Sequence, residues 1–387
     1  MSLGREALPF APPCLMTSLD FALSRKGKKM QGSHLRNLLM VVLSSLALVL
    51  LVNTSIAFAA SQGTHLLLPA PQGTYSSVPR STIVQPMPGV RGQITEYPLA
   101  SGRGPWHIVT GPDNNLWFTE TNVSNIAKIT TSGQVTEYPI PTSLAEPTGI
   151  TTGPDGNLWF VEFNGSKIGK ITTSGQITEY PTPTSNSGPD YITTGPDHTL
   201  WFSEVLGNNI GKINTKTGQI TEYPIPTSNS GPEGIISGPG GVWFAESTGD
   251  KIGKINPKTG QITEYAVPNN GDPFQITKGP RGDKNLWFTE FVGNNIGKID
   301  TSTGQVTEYA VPSSNSFPND ITAGRKGTLW FTEENGNKIG LITVKGKFIE
   351  YAIPTSDASP VGITRGPDGN MWFTEVTASK IGTITSR

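Results

Sequence analysis

Seven times along this 387-residue chain a proline is followed by two variable residues and then isoleucine. The variable pairs read Trp106-His107, Thr148-Gly149, Asp190-Tyr191, Glu233-Gly234, Phe274-Gln275, Asn319-Asp320 and Val361-Gly362. Three acids, three aromatic rings, two amides and one imidazole thus hold equivalent places in a repeat. Brought together, such groups suit a pocket for a small, partly apolar ligand with polar edges. A plug of side chains and water would use the same set. His107 could act there as a general base or as a structural hydrogen-bonding group. The other histidines lie in a basic leader (His34), a spacer (His65) and a turn (His198). Glu233, Asp320 and Glu375 are the candidate metal ligands.

A second set of carboxylates is periodic. Glu120, Glu162, Glu204, Glu246, Glu290, Glu333 and Glu375 each follow a Trp-Phe pair. A sevenfold carboxylate resembles a metal ring, but catalysis calls for an asymmetric constellation. Pairing with the strand lysines Lys128, Lys170, Lys212, Lys254 and Lys298, or with backbone amides, accounts for them more simply. The Pro-Asp-Gly-Asn turns lack the further acidic ligands of a calcium loop.

The elements that must position these residues follow from the Trp-Phe pairs, which begin at Trp117, Trp159, Trp201, Trp243, Trp287, Trp330 and Trp372. Their spacings are 42, 42, 42, 44, 43 and 42 residues, in a sequence rich in Gly, Pro and β-formers. That period predicts a β-propeller of seven four-stranded blades. In the second blade the strands read Pro147 to Thr151, Leu158 to Glu162, Ser166 to Ile171 and Gln176 to Tyr180, with Pro181 as a stop. Trp and Phe are adjacent, so they face opposite sides of a strand, and a sheet apolar on both faces needs cover on both. Gly169, Gly211, Gly253 and Gly297 are expected to let blade backbones approach. One outer-strand motif, Ile94-Thr95-Glu96-Tyr97, precedes the first Trp-Phe pair, and none follows the last blade. The N-terminal strand should therefore complete the final blade and close the ring, removing exposed edges. The variable Pro-x-x-Ile residues then converge on the channel mouth.

The 29 basic and 30 acidic residues argue against a nucleic-acid partner. The single cysteine, Cys14, leaves the propeller without disulfide or thiolate metal chemistry. Basic residues at 25–36, an apolar run from Leu38 to Val52 and Ala57-Phe58-Ala59 describe a secretory signal, or else an uncleaved anchor. Residues 1–59 are thus read as leader, 60–91 as a Pro/Ser/Gly-rich spacer and 92–387 as propeller. The expectation is a secreted or extracytoplasmic monomer that meets the membrane only through that apolar segment.

The Trp-Phe-Thr-Glu, Lys-Ile-Gly-Lys-Ile and Ile-Thr-Glu-Tyr-Pro-Ile-Pro elements resemble the streptogramin B lyase (virginiamycin B lyase) family over residues 92–387. The resemblance implies linearisation of cyclic depsipeptide antibiotics by elimination. It further implies a histidine base and a magnesium ion held by glutamates. The implied histidine positions read Pro318-Asn319-Asp320 and Ser359-Pro360-Val361-Gly362 here, and no catalytic residue is matched. Glu375 approximates a metal-binding glutamate, offset by about one residue. Glu146-Pro147-Thr148-Gly149 keeps a Glu-Pro frame with Thr for His. His107 is one residue out of register, which on a regular strand would turn it to the other face. The expectation is a lyase-like propeller that binds a small-molecule or peptide-like ligand at its channel without the elimination chemistry. The alternatives are an active or divergent lyase, with magnesium and with Asp190, Glu233, Asp320 and His107 in new roles, and an adhesive envelope protein.

Overall fold

The computed structural model describes residues 92–386. The leader and spacer readings, with Cys14, His34 and His65, lie outside the described residues. Each 42-to-44-residue period folds into one antiparallel four-stranded sheet. In the second blade the strands are Pro147–Thr152, Leu158–Glu162, Lys167–Ile171 and Ile177–Pro181. Pro181 is the last paired residue of its strand, opposite Lys167.

Each Trp packs forward and each Phe backward. Trp117 shares an apolar cluster with Phe160 of the next blade, and Trp159 with Phe202. The sequence continues Trp201 with Phe244, Trp243 with Phe288, Trp287 with Phe331 and Trp330 with Phe373. Trp372 then meets Phe118, so the seventh cluster joins the last blade to the first. Residues Ile94–Pro98 pair antiparallel with Lys380–Ile384 and supply the outer strand of the last blade. The ring is closed as the repeat phase predicts.

The repeated polar residues serve the tryptophans. Tyr138 stacks on Trp117 with centroids 5.6 Å apart, and equivalent stacks occur in all seven blades. The indole N–H of Trp117 donates to Asp113 in the preceding turn at 2.9 Å, as Trp159 does to Asp155 at 3.0 Å. A buried indole donor needs an acceptor, which an aspartate four residues earlier supplies in five blades and the Pro239 carbonyl supplies to Trp243 at 3.1 Å. Lys128, Lys212 and Lys254 lie 5.0, 5.0 and 4.9 Å from the ring centroids of their blades' tryptophans. These strand lysines therefore face the indoles and do not pair with the periodic glutamates, correcting the expected pairing. In register, Lys128 stands opposite Trp117, whereas Glu120 stands opposite Asn125. Gly169 is also explained differently. A Cβ there would lie 2.1 Å from the Phe160 ring of the same blade, so the glycine makes room for that ring.

The periodic glutamates are fully buried, and Glu162, Glu246, Glu333 and Glu375 have both carboxyl oxygens without a hydrogen-bond partner. Burial first, and then an outer-strand glutamate such as Glu350, raise Glu333 to about 8. Burial and Glu96 likewise raise Glu375 to about 8, while Glu162 and Glu246 rise to about 7. The fold favours the protonated carboxyls. Their contribution is complete below the ordinary value near 4.5 and is lost as pH rises through 7 to 8. The melting temperature should therefore fall between pH 5 and pH 9. Glu333→Gln should be nearly neutral at pH 5 and stabilise by on the order of 1 kcal/mol or more at pH 9. Calorimetric melts at both values check this, and equal effects at the two pH values would contradict it.

Candidate functional site

The innermost strands, Pro105–Thr110 and its six counterparts, line the hub. Each carries an irregularity at the Pro-x-x-Ile positions. Pro105 pairs with Glu120 and Ile108 with Phe118, so Trp106 and His107 together face the single residue Thr119. The same two-against-one bulge recurs in every blade. A bulge leaves extra backbone groups outside the ladder and re-aims its side chains. The variable pairs are these bulges.

Neighbouring bulges satisfy one another. The Thr119 hydroxyl accepts from the His107 amide at 3.1 Å and donates to the Thr148 carbonyl of the next blade at 2.8 Å. Thr289, Thr332 and Thr374 act likewise, the last donating to Trp106 at 2.7 Å across the ring closure. This is the work of the Thr in Trp-Phe-Thr-Glu. Gly149, Gly234 and Gly362 hold second bulge positions, where a Cβ would strike the adjacent blade: 2.8 Å from Tyr191 Cα, 2.7 Å from Gln275 Cα and 3.0 Å from His107 Cα. Here, rather than at Gly169, glycine permits close blade approach.

The remaining second positions reach into the hub. Gln275 Oε1 accepts from the Ile276 amide at 2.8 Å. Asp320 accepts from the amides of Ile321 at 2.7 Å and of Ile363, in the next blade, at 2.8 Å. His107 Nδ1 accepts from the Ile150 amide at 3.2 Å, which leaves the hydrogen on Nε2. That Nε2 lies 3.8 Å from Asp320 Oδ2. His107 thus faces the hub, correcting the expectation that its register turns it away; the bulge breaks the alternation on which that expectation rests. Burial lowers the imidazole to about 4 and raises the Asp320 carboxyl to about 7. The imidazole is therefore neutral around pH 7, and the contact is not an ion pair.

Asp190 and Glu233, in adjacent blades, hydrogen-bond through their carboxyls. Burial raises both, and the neighbouring Asp190 charge pushes Glu233 higher still. The Tyr191 phenol is raised by burial and then by Asp190, Asp320, Glu233 and Glu334. Its ring stands edge-on to His107 at 5.6 Å and to Phe274 at 6.3 Å. Trp106 Nε1 and Asn319 Oδ1 are buried without partners. The hub thus brings together His107, Asp190, Tyr191, Glu233, Phe274 and Asp320. Thr148 turns aside, donating to the Asp190 carbonyl at 2.9 Å.

Several residues at this end were not read from the sequence. Glu334 accepts from Asn319 Nδ2 at 2.9 Å, and Phe291 packs on Phe274 at 5.4 Å and on Phe317 at 4.9 Å. A signal existed: the residue after each periodic glutamate varies among Thr121, Phe163, Val205, Ser247, Phe291, Glu334 and Val376. Glu375 is placed otherwise than a metal ligand requires. It lies beside Glu96 and Lys380, and Val376 holds the next position. Asp320 spends its oxygens on two amides, and Glu233 faces Asp190. Among the described residues no group of three or more His, Cys, Asp or Glu side chains is arranged to hold a metal ion. The donors present do not fit a magnesium site.

Asp320 is the acceptor for two buried amides, so its removal should be felt in stability. Asp320→Ala should cost roughly 2 kcal/mol, and Asp320→Asn, which keeps one acceptor, distinctly less. Urea unfolding of both variants measures the difference. Equal losses would deny the bridging role.

The profile of the virginiamycin B lyase family matches residues 84–282 and 240–387. A solved streptogramin B lyase is 38% identical, with a TM-score of 0.72 over 76% of this chain and 98% of its own. A catalytically inactive histidine-to-alanine variant of virginiamycin B lyase from Staphylococcus aureus, solved with quinupristin, is 39% identical. Its TM-score is 0.72 over 76% of this chain and 99% of its own. The WD40 propeller domain of Doa1, 10% identical with a TM-score of 0.62 over 77% of this chain and 98% of its own, shares the fold alone. A comparison with curated proteins finds no match. With the family profile spanning the whole ring and two lyase structures of this identity covering all seven blades, the chain belongs to the virginiamycin B lyase family.

Proposed function

We propose that this protein is an exported propeller that binds a small-molecule or peptide-like ligand at its channel mouth without the elimination chemistry of the lyases. The observation that carries the reading is the state of the one imidazole at the hub. His107 Nδ1 is engaged by the Ile150 amide, so Nε2 bears hydrogen and offers no lone pair to a substrate proton. The positions at which the family resemblance implies histidines carry Asn319 and Val361, neither of which can serve as a base. Ligand capture does not require that chemistry: the S. aureus relative is described as inactive when one histidine is alanine, yet it was solved with quinupristin. Export rests on the basic segment, apolar run and Ala57-Phe58-Ala59.

A divergent lyase is the second reading, favoured by 38% identity to a streptogramin B lyase. The two part on one experiment. The full-length chain is incubated overnight with quinupristin and magnesium, and the products are separated by chromatography. Elimination adds no water, so a ring-opened product has the mass of its parent and mass alone would miss it. The expected outcome is intact quinupristin, held by the protein and released when Trp106, Tyr191 and Phe274 are all replaced by alanine. Ring opening at an ordinary enzymatic rate would establish the lyase. Capture unaffected by the triple substitution would move the site elsewhere.

A further inference from the structure

The chain is nearly neutral overall, but its charge is polarised. At the bulged end Glu146, Asp190, Glu233, Asp272 and Glu334 have no basic partner within 4 Å among the described residues. The connections at this end supply one basic side chain, Arg103, and Glu137 holds it at 2.8 Å. The lysines at the same level are engaged as well: Lys167, Lys251, Lys338 and Lys380 contact outer-strand glutamates at 2.9, 3.0, 2.8 and 3.2 Å. The turns at the far end carry Arg281, Lys284, Arg325 and Lys326. Burial raises all five carboxyls, Asp272 to about 6, so the separation draws cations toward the mouth through those that stay ionised near neutral pH.

A second observation points to a ligand there. Asn319 is 2% exposed, gives its Nδ2 to Glu334 and leaves Oδ1 with no donor. A buried carbonyl oxygen without a donor is costly, and a ligand N–H at that position relieves it. The mouth also has an apolar side. Tyr191, Phe274, Phe291 and Phe317 form a continuous run of ring contacts, and Val292 beside it is 62% exposed. Aromatic faces next to carboxylates attract organic cations by quadrupole and by charge together.

Resting on the channel-binding reading above, we propose that the ligand is an organic ammonium with an apolar body. Its N–H groups face the carboxyls around Tyr191, and its apolar part lies along Phe274 and Phe291. Two probes of matched shape test this with the full-length chain by titration calorimetry at low salt: 4-phenylbutylammonium chloride and neutral 4-phenylbutan-1-ol. The ammonium should bind at least tenfold more tightly than the alcohol. The double variant Asp190→Asn, Glu233→Gln should lose that preference, while Asp357→Asn, on an exposed loop of the same end, should keep it. Phe274→Ala should weaken both probes by a similar factor, with melting curves confirming that each variant is folded. Equal binding of the two probes would overturn the ammonium assignment and leave channel binding standing. Binding of neither would overturn it too, and quinupristin capture would then judge the channel reading by itself. A preference that survives the double variant would also overturn it.

Discussion

No blade of this protein owns a core. Each Trp is buried against the Phe of the following blade, so every apolar cluster is an interface between two sheets. A single sheet of this composition would expose indole on one face and phenyl on the other, and only a neighbour on each side removes both from water. In an open stack the terminal blades would keep one such face wet. Closing Trp372 onto Phe118, and pairing Ile94–Pro98 with the C-terminal strand, satisfies the last interface and the last sheet edge together. The first and last strands of the ring are joined by hydrogen bonds, as successive blades are joined by packing.

The hub inherits its geometry from that closure. Seven innermost strands converge, and the bulge in each lets two residues occupy the space of one partner. Backbone groups freed by the bulges are taken up across blades by Thr119, Thr289, Thr332 and Thr374, and by Asp320 and His107 where a side chain can reach. Where a glycine stands, in blades two, four and seven, the next blade's bulge moves in against it. Side chains at these positions therefore do two things at once. Some, like Asp320, are committed to backbone amides; others, like Asp190 and Glu233, hold each other across two blades.

The sequence displayed the architecture because the architecture is periodic. Trp-Phe spacing gave blade number, and the unpaired Ile94-Thr95-Glu96-Tyr97 motif gave the closing strand. The details that misled were local. Charge alone offers strand lysines such as Lys128 to the periodic glutamates, whereas register places Lys128 on Trp117. A strand glycine such as Gly169 suggests close backbone approach, although the nearest atoms to a Cβ there belong to Phe160. Strict alternation turns His107 away from the hub, but a bulge that no residue type announces breaks the alternation there. Glu334 directly follows the periodic Glu333, so the repeat itself gives no sign that it is the residue that accepts from Asn319. What varies between blades lines the hub, and variation is harder to read from one sequence than recurrence.

That division also governs how far kinship reaches. The residues that make the family recognisable are those that fill interfaces, cap indoles and bridge bulges, and they would be kept whatever the hub does. The bulge positions are the ones that packing leaves free to differ from blade to blade. For an imidazole to act as a base, one nitrogen must present a lone pair to the substrate while the other is held by a partner that fixes the ring. At His107 the backbone takes the lone pair: Ile150 donates to Nδ1, and the Nε2 hydrogen faces a carboxyl. The same ring in the opposite tautomer would strand the Ile150 amide. In this hub the requirement to satisfy a bulge amide and the requirement to abstract a proton compete for one nitrogen, and the bulge holds it.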